Sequence, residues 1–413
     1  MKATKVINRY FLLCLCLSII SCGGKKGNNM KTFEKGTFGY DLNYLSKKDS
    51  VILLRTNDGK AQVLVSPKYQ AKVFTSTTDG NSGKSLGYLN YKALEAESFD
   101  EHMNGYGGEN RLWLGPEGGK YSIYFKPGTE QIYDNWHTPK PFDIEAWNVV
   151  SASDKSVLMS KDMEIANYLG NLFQLKINRN ISIVEPSEIA LLLGIQLSPS
   201  IKTVGYLTDN VLINNGDSEW TEKTGAICIW MLDMFNTAPN SLTIVPFNEG
   251  SEDKLGVIAT TNYFGEIPAD RLKIEEGILY LKTDGKCRNK LGLNSLRTKS
   301  VAGNYDPDSR RLTITTFEVD PQGTYLNQEW NPNKNPLIGD AVNAYNDGPL
   351  EDGSIMGPFL EVESASPAAF LKPGASLSHK HNVFHFVGSD EDLSLITEKL
   401  FGVKIAEIKN VFN

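Results

Sequence analysis

Three of the five histidines in this 413-residue chain, His379, His381 and His385, fall in one short run, Leu377-Ser378-His379-Lys380-His381-Asn382-Val383-Phe384-His385-Phe386. In a strand, side chains alternate with a period of two, so all three share a face. The same period puts Glu361 and Glu363 of Phe359-Leu360-Glu361-Val362-Glu363-Ser364 together. Consecutive strands joined by a loop usually pair, which would bring carboxylates and imidazoles face to face. Such a set can do acid/base work, with Glu361 as base, His379 or His381 as acid, and Glu363 and His385 beside them for binding. Two His at i, i+2 with a Glu also suit a divalent metal. A satisfied polar ladder on a sheet accounts for the same residues with no ligand at all.

Three further segments carry binding chemistry. In Asn104 to Gly119, Glu109, Arg111, Trp113 and Glu117 share one face if the backbone is extended. That set can hold a polyol by bidentate hydrogen bonds and stacking, or can brace its own glycine turns as an ion-pair network. No Gly-Lys-Ser/Thr follows, which excludes a phosphate-binding loop. Trp136 and His137, in the segment ending at Trp147, can stack on sugar rings or plug the end of a sandwich. Tyr345, Asn346 and Asp347 sit in a stretch rich in Asn and Asp. Such residues build turns on their own and also suit hydroxyl recognition or Ca²⁺, although EF-hand spacing is missing.

The elements that must position these residues read mostly as strands. Val51–Leu54 and Ala61–Val65 flank Asn57-Asp58-Gly59, a hairpin signal. Strand patterns recur to the end of the chain, including 121–125, 256–261 and 404–412. Helical signals are few: 187–193 after Pro186, 390–401 between Ser389 and Gly402, and 92–102. No Pro/Ser-rich linker breaks residues 35–413. The fold class expected is all-β: one large antiparallel β-supersandwich with a few short helices.

The N-terminus has a different composition. Lys2, Lys5 and Arg9 precede an apolar stretch, Tyr10 to Ile20, about half as long as the roughly 20 residues a spanning helix needs. Ser21 and Cys22 follow. This resembles the bacterial lipoprotein signal, which implies removal of 1–21, lipid on Cys22 and a flexible tether over 22–34. Removal takes away three basic residues and no acid, so the net charge of −7 becomes more acidic, which excludes nucleic acid as a natural partner. Cys228 and Cys287 then remain, either paired or free.

The C-terminal third resembles the aldose 1-epimerases (galactose mutarotases). The strand of Glu361, then Leu371-Lys372-Pro373-Gly374 and a strand ending Phe384-His385-Phe386, match the family's pattern. The resemblance places Glu361 at the general base and implies a mutarotase-like supersandwich. Ala375 replaces the usual Glu after Pro-Gly, Gly107-Gly108-Glu109 stands where the family has His-Gly-Gly, and no His lies between His137 and His379. Across its whole length the chain is more similar to a family of bacterial envelope lipoproteins of unassigned activity, on the Gly-Gly-Glu-x-Arg-x-Trp-x-Gly-Pro-Glu-Gly-Gly, Tyr-Asn-Asp-Gly-Pro and Phe-x-Glu-x-Glu-Ser signatures. The expectation is a lipid-anchored, monomeric, extracytoplasmic protein with a carbohydrate partner. Epimerase, lyase and hydrolase chemistry stay open, as do a cleft without chemistry and a structural envelope role.

Overall fold

The computed structural model describes residues 32–413, and residues 33–413 form one compact unit. The leader over 1–21 and lipidation at Cys22 lie outside the described residues, as does most of the tether. The chain adopts the expected class: three antiparallel sheets with short helices. The central pair consists of a five-stranded and a ten-stranded sheet. The five-stranded sheet runs in the order Asn289–Leu293, Val342–Asn346, Phe359–Ala365, Cys228–Asn236, Arg111–Gly115. In the ten-stranded sheet, Arg311–Phe317, Ser376–Val387 and Lys202–Asn214 lie side by side at the centre. The expected hairpin forms as Ile52–Arg55 against Gln62–Ser66, in a three-stranded sheet completed by Lys72–Thr77.

Apolar residues on the inner faces bind the two large sheets together. Leu291, Ala344 and Val362 of the five-stranded sheet pack against Val245, Leu279, Ala302 and Phe317 from the other side. A second layer joins Leu112, Ile229, Met231 and Leu360 to Leu175, Ile177, Tyr206 and Val383. The opposite face of the ten-stranded sheet is covered by the helix Asp390–Phe401, whose Leu393, Ile396 and Phe401 meet Ile314, Phe384 and Phe386. Its Ser389 cap accepts from the Asp392 N–H at 3.1 Å and the chain turns left-handed at Gly402, as the sequence predicts.

Several elements differ from expectation. Residues 404–412 hold a helix, Ile405–Asn410, because Ile405 and Ile408 bury one helical face and Glu407 accepts from the Lys404 N–H at 2.7 Å. Residues 121–125 form a loop. Tyr121, Ile123, Tyr124 and Phe125 are all buried in the core without a strand partner, so their apolar content is packing and not a pleat. Residues 256–261 contribute only an isolated bridge, Thr260 to Gly292. The helix near 92–102 shortens to Tyr91–Glu95, and Phe38–Leu45 adds a helix not anticipated. Cys228 and Cys287 are free, and burial pushes the Cys228 thiol up to about 12.

Candidate functional site

The pairing that would join Glu361 to the histidines does not occur. The Glu361 strand pairs with Val342–Asn346 and Cys228–Asn236 in the five-stranded sheet. The histidine strand pairs with Arg311–Phe317 and Lys202–Asn214 in the ten-stranded sheet. The histidines point inward, toward the face that carries Ser364. Ser364 Oγ lies 2.8 Å from both His379 Nε2 and His381 Nδ1, and His381 Nε2 is 2.7 Å from Asp233 Oδ2. Asn110 donates to Asp233 at 2.6 Å, and Arg179 donates to Asn110, Asn210 and the Ala71 carbonyl at 2.5, 2.7 and 2.9 Å. Glu109 belongs to this interior as well. It accepts from the Ser76 N–H and hydroxyl at 2.6 and 2.7 Å and lies 3.0 Å from His385 Nε2.

All of these groups are sealed from solvent. Burial, with His381 beside it, drives His379 down to about 3, so its ring is neutral. Glu109, His379, His381 and His385 are therefore corrected from site residues to an inter-sheet polar network, because every one is partnered by protein and closed to solvent.

Glu361 and Glu363 alternate with Ser364 and project from the other face of the same strand. Register aligns Lys290, Tyr345, Glu361 and Met234 in one row, and Gly292, Asn343, Glu363, Leu232 and Arg111 in the next. Trp113 and Trp230 stand opposite each other on that face. Arg111 pairs with Glu361 and lies 5.1 Å from the Trp113 ring centre. Lys290 Nζ donates to Glu363 at 2.8 Å and sits 5.2 Å from the Trp230 ring, whose Nε1 donates to the same carboxylate at 2.9 Å. Tyr345 donates to Asp347 at 2.9 Å and receives Arg288 Nε at 3.3 Å.

Loops close over this face at positions where only glycine fits. A Cβ on Gly118 would stand 2.4 Å from the Glu329 carbonyl, so the Gly-Pro-Glu-Gly-Gly loop packs directly on residues 327–330. That contact sets Glu117 near Lys290 and Glu363. A Cβ on Gly292 would stand 2.2 Å from Asp340 Oδ2, so Asp340 lies flat on the sheet, where Tyr263 donates to it at 2.5 Å.

The carboxylates there are strongly perturbed. Burial raises Glu117 to about 7 against the pull of Lys290, and burial raises Glu361 as well against the pull of Arg111. Burial raises Asp340 to about 6. Burial pulls Lys290 down, but Glu363, Glu117 and Glu361 outweigh it and its pKa is raised, so it stays an ammonium. Among the described residues, no basic group comes within ion-pair distance of Glu117, which is half-buried. No group of three or more His, Cys, Asp or Glu among the described residues is arranged to hold a metal ion.

The structure thus brings together Arg111, Trp113, Glu117, Tyr345, Asp347, Glu361 and Glu363 of the sequence candidates. Trp136 lies behind them, buried and stacked on Trp330 at 5.9 Å. His137 stacks on His102 at 4.9 Å, further along the same aromatic column. Asn346 faces inward and is spent on the Gly285 N–H and the Cys287 carbonyl. Lys290, Trp230, Asp340, Tyr263 and Arg288 were missed. The available signal for Lys290 was a lone cation inside an alternating Leu291/Leu293 strand.

Residues 36–412 match a family of unknown function, DUF6786. The chain belongs to that family. No curated protein matches this member. Among solved structures, it is similar to the Slr1438 protein of Synechocystis sp. PCC 6803, at 13% identity over 83% of this chain and 96% of that one, TM-score 0.49. A galactose mutarotase-like protein from Lactobacillus casei gives 13% identity over 81% and 100%, TM-score 0.48. A galactose mutarotase related enzyme from Lactobacillus acidophilus gives 8% over 82% and 98%, TM-score 0.43. Among the described residues no helix is long and apolar enough to cross a membrane.

Proposed function

We propose that this family member is a carbohydrate-binding protein that performs acid/base chemistry on its sugar at the outer face of the five-stranded sheet. One observation carries the reading. Glu117 is raised to about 7 and burial raises Glu361 against the pull of Arg111, both around the same Lys290 ammonium on one sheet face. Two carboxyl groups poised toward neutrality can divide the work of acid and base, and the exposed indole of Trp330, which bonds Glu117, suits a ring with apolar C–H faces and polar edges. Glu361 is engaged by Arg111, whereas Glu117 accepts a hydrogen bond from Trp330 and has no ion-pair partner among the described residues, so Glu117 is the freer proton carrier. Arg111, Lys290 and Tyr345 orient the sugar. This arrangement replaces the acid role first assigned to His379 and His381.

The test is a panel of mono- and oligosaccharides scored for binding and for anomeric or chain change, with wild type beside Glu117→Gln. Retention of a sugar by wild type, with any turnover reduced at least ~100-fold in the variant, is expected. Unchanged turnover would assign Glu117 to structure. Binding without turnover in wild type favours the glycan-binding alternative. Lipid on Cys22, holding the protein to an envelope membrane, completes the proposal. Cys22→Ala should move the protein from the membrane to the soluble fraction, and identical fractionation of variant and wild type would remove the anchor.

A further inference from the structure

A cleft of about 470 Å³ opens between residues 256–263 and 327–340, walled by Tyr263, Gln328 and Asp340 on its inner side. This volume lies within the roughly 300–1,000 Å³ usual for ligand pockets. Two hydrogen bonds join its wall to the carboxylate site. Tyr263 Oη accepts from Asn343 Nδ2 at 3.3 Å, and Gln328 Oε1 accepts from the Glu117 N–H at 3.3 Å. The cleft therefore adjoins that site, with Tyr263, Gln328 and Asp340 as the wall between them. Its lining is rich in carboxamides. Asn294 and Asn327 donate to the Leu255 and Ile338 carbonyls and brace the two loops. Asn262 and Asn335 stand at the mouth, open to solvent. Exposed Val257 and Ile338 lie among them, and exposed Trp330 and Phe264 adjoin the lining residues.

Amides that donate and accept, interleaved with apolar side chains, match a sugar unit, which has hydroxyl edges and C–H faces. The lining carries little net charge, with Glu329 tied to Lys334 at 2.6 Å and Asp340 raised toward neutrality.

We infer that this cleft is a second subsite and that the ligand is an oligosaccharide whose terminal unit lies over Lys290 and Glu117 while the following units occupy the amide-lined groove. The inference rests on the carbohydrate reading above.

It is tested by calorimetric titration of the full chain with glucose, galactose, mannose, xylose, rhamnose and glucuronic acid, and with their linear oligomers of two to four units. Affinity in one series should rise at least ~10-fold from monomer to tetramer, and Asn335→Ala combined with Ile338→Ala should erase that rise. Equal affinity for monomer and tetramer would overturn the second subsite and leave the carbohydrate reading standing. A rise that persists in the double variant would place the added units elsewhere. No binding by any member would remove the carbohydrate reading and this inference with it.

Discussion

Ser364 and Glu363 are neighbours on one strand, and each belongs to a cluster of acids and bases. The clusters differ in how their hydrogen-bonding capacity is used. On the inner face, Ser364, His379, His381, Asp233, Asn110 and Arg179 bond one another and are closed to water. On the outer face, Glu117 is half-buried and held by no ion pair among the described residues, and an open cleft adjoins it. A buried polar network that is fully satisfied specifies a core. One that keeps a perturbed carboxyl at the edge of a cleft is a candidate site. Residue type alone does not separate the two.

The strongest way to break the comparison is to remove the inner hub. Arg179→Met leaves the Asn110 and Asn210 side-chain oxygens and the Ala71 carbonyl without their donor. A loss of about 3–5 kcal/mol in urea unfolding is expected. A loss below about 1 kcal/mol would mean that the inner network is not structural.

The two faces should also respond oppositely to pH. Glu117 and Asp340 have folded pKa values raised to about 7 and about 6. Each holds a proton in the folded state that the unfolded chain releases. Their favourable contribution is complete below the unfolded carboxylate pKa and is lost as pH rises toward 7. His379, lowered to about 3 from 6.5, refuses a proton that the unfolded chain accepts, so the folded state loses stability as pH falls from 6.5 toward 3. Scanning calorimetry from pH 4 to 8 should therefore show Glu117→Gln with Asp340→Asn flattening only the higher-pH fall. A flattened acid arm in that double variant would contradict the assignment.

The smallest effect is expected at the cleft rim. Trp330→Phe keeps an exposed ring against Trp136 and Phe125 but removes the donor to Glu117, whereas Trp330→Ala removes both the ring and the donor. Sugar affinity should fall roughly 2- to 12-fold in the alanine variant, as when a stacking contact worth about 0.5–1.5 kcal/mol is removed. Binding that is unaffected would exclude Trp330 from recognition.

Much of this was legible in the sequence. Period two correctly paired Glu361 with Glu363 and His379 with His381, and the Ser389 and Gly402 signals fixed the helix between them. The alternation of Leu360 and Val362 with Glu361 and Glu363 turns the apolar pair to the core, as observed, but it could not show that loops bury the Glu face as well, since every residue of Phe359–Ala365 is buried. Nor could it show that residues 366–375 carry the chain from one sheet to the other, since strand pairing is non-local. Lys290 comes near both Glu117 and Asp340 through that pairing and through loop closure over Gly118 and Gly292.

The central claim is that the outer cluster recognises the ligand and the inner one holds the sheets together. The most direct measurement takes the tightest-binding sugar and determines Kd and Tm for Glu361→Ala and His379→Ala in parallel. The account predicts that Glu361→Ala weakens the binding of the folded protein at least ~10-fold, besides the stability lost by leaving Arg111 unpaired, while His379→Ala lowers Tm and leaves the Kd of the folded protein near that of wild type. Weakened binding in His379→Ala, with Glu361→Ala binding as wild type, would contradict it.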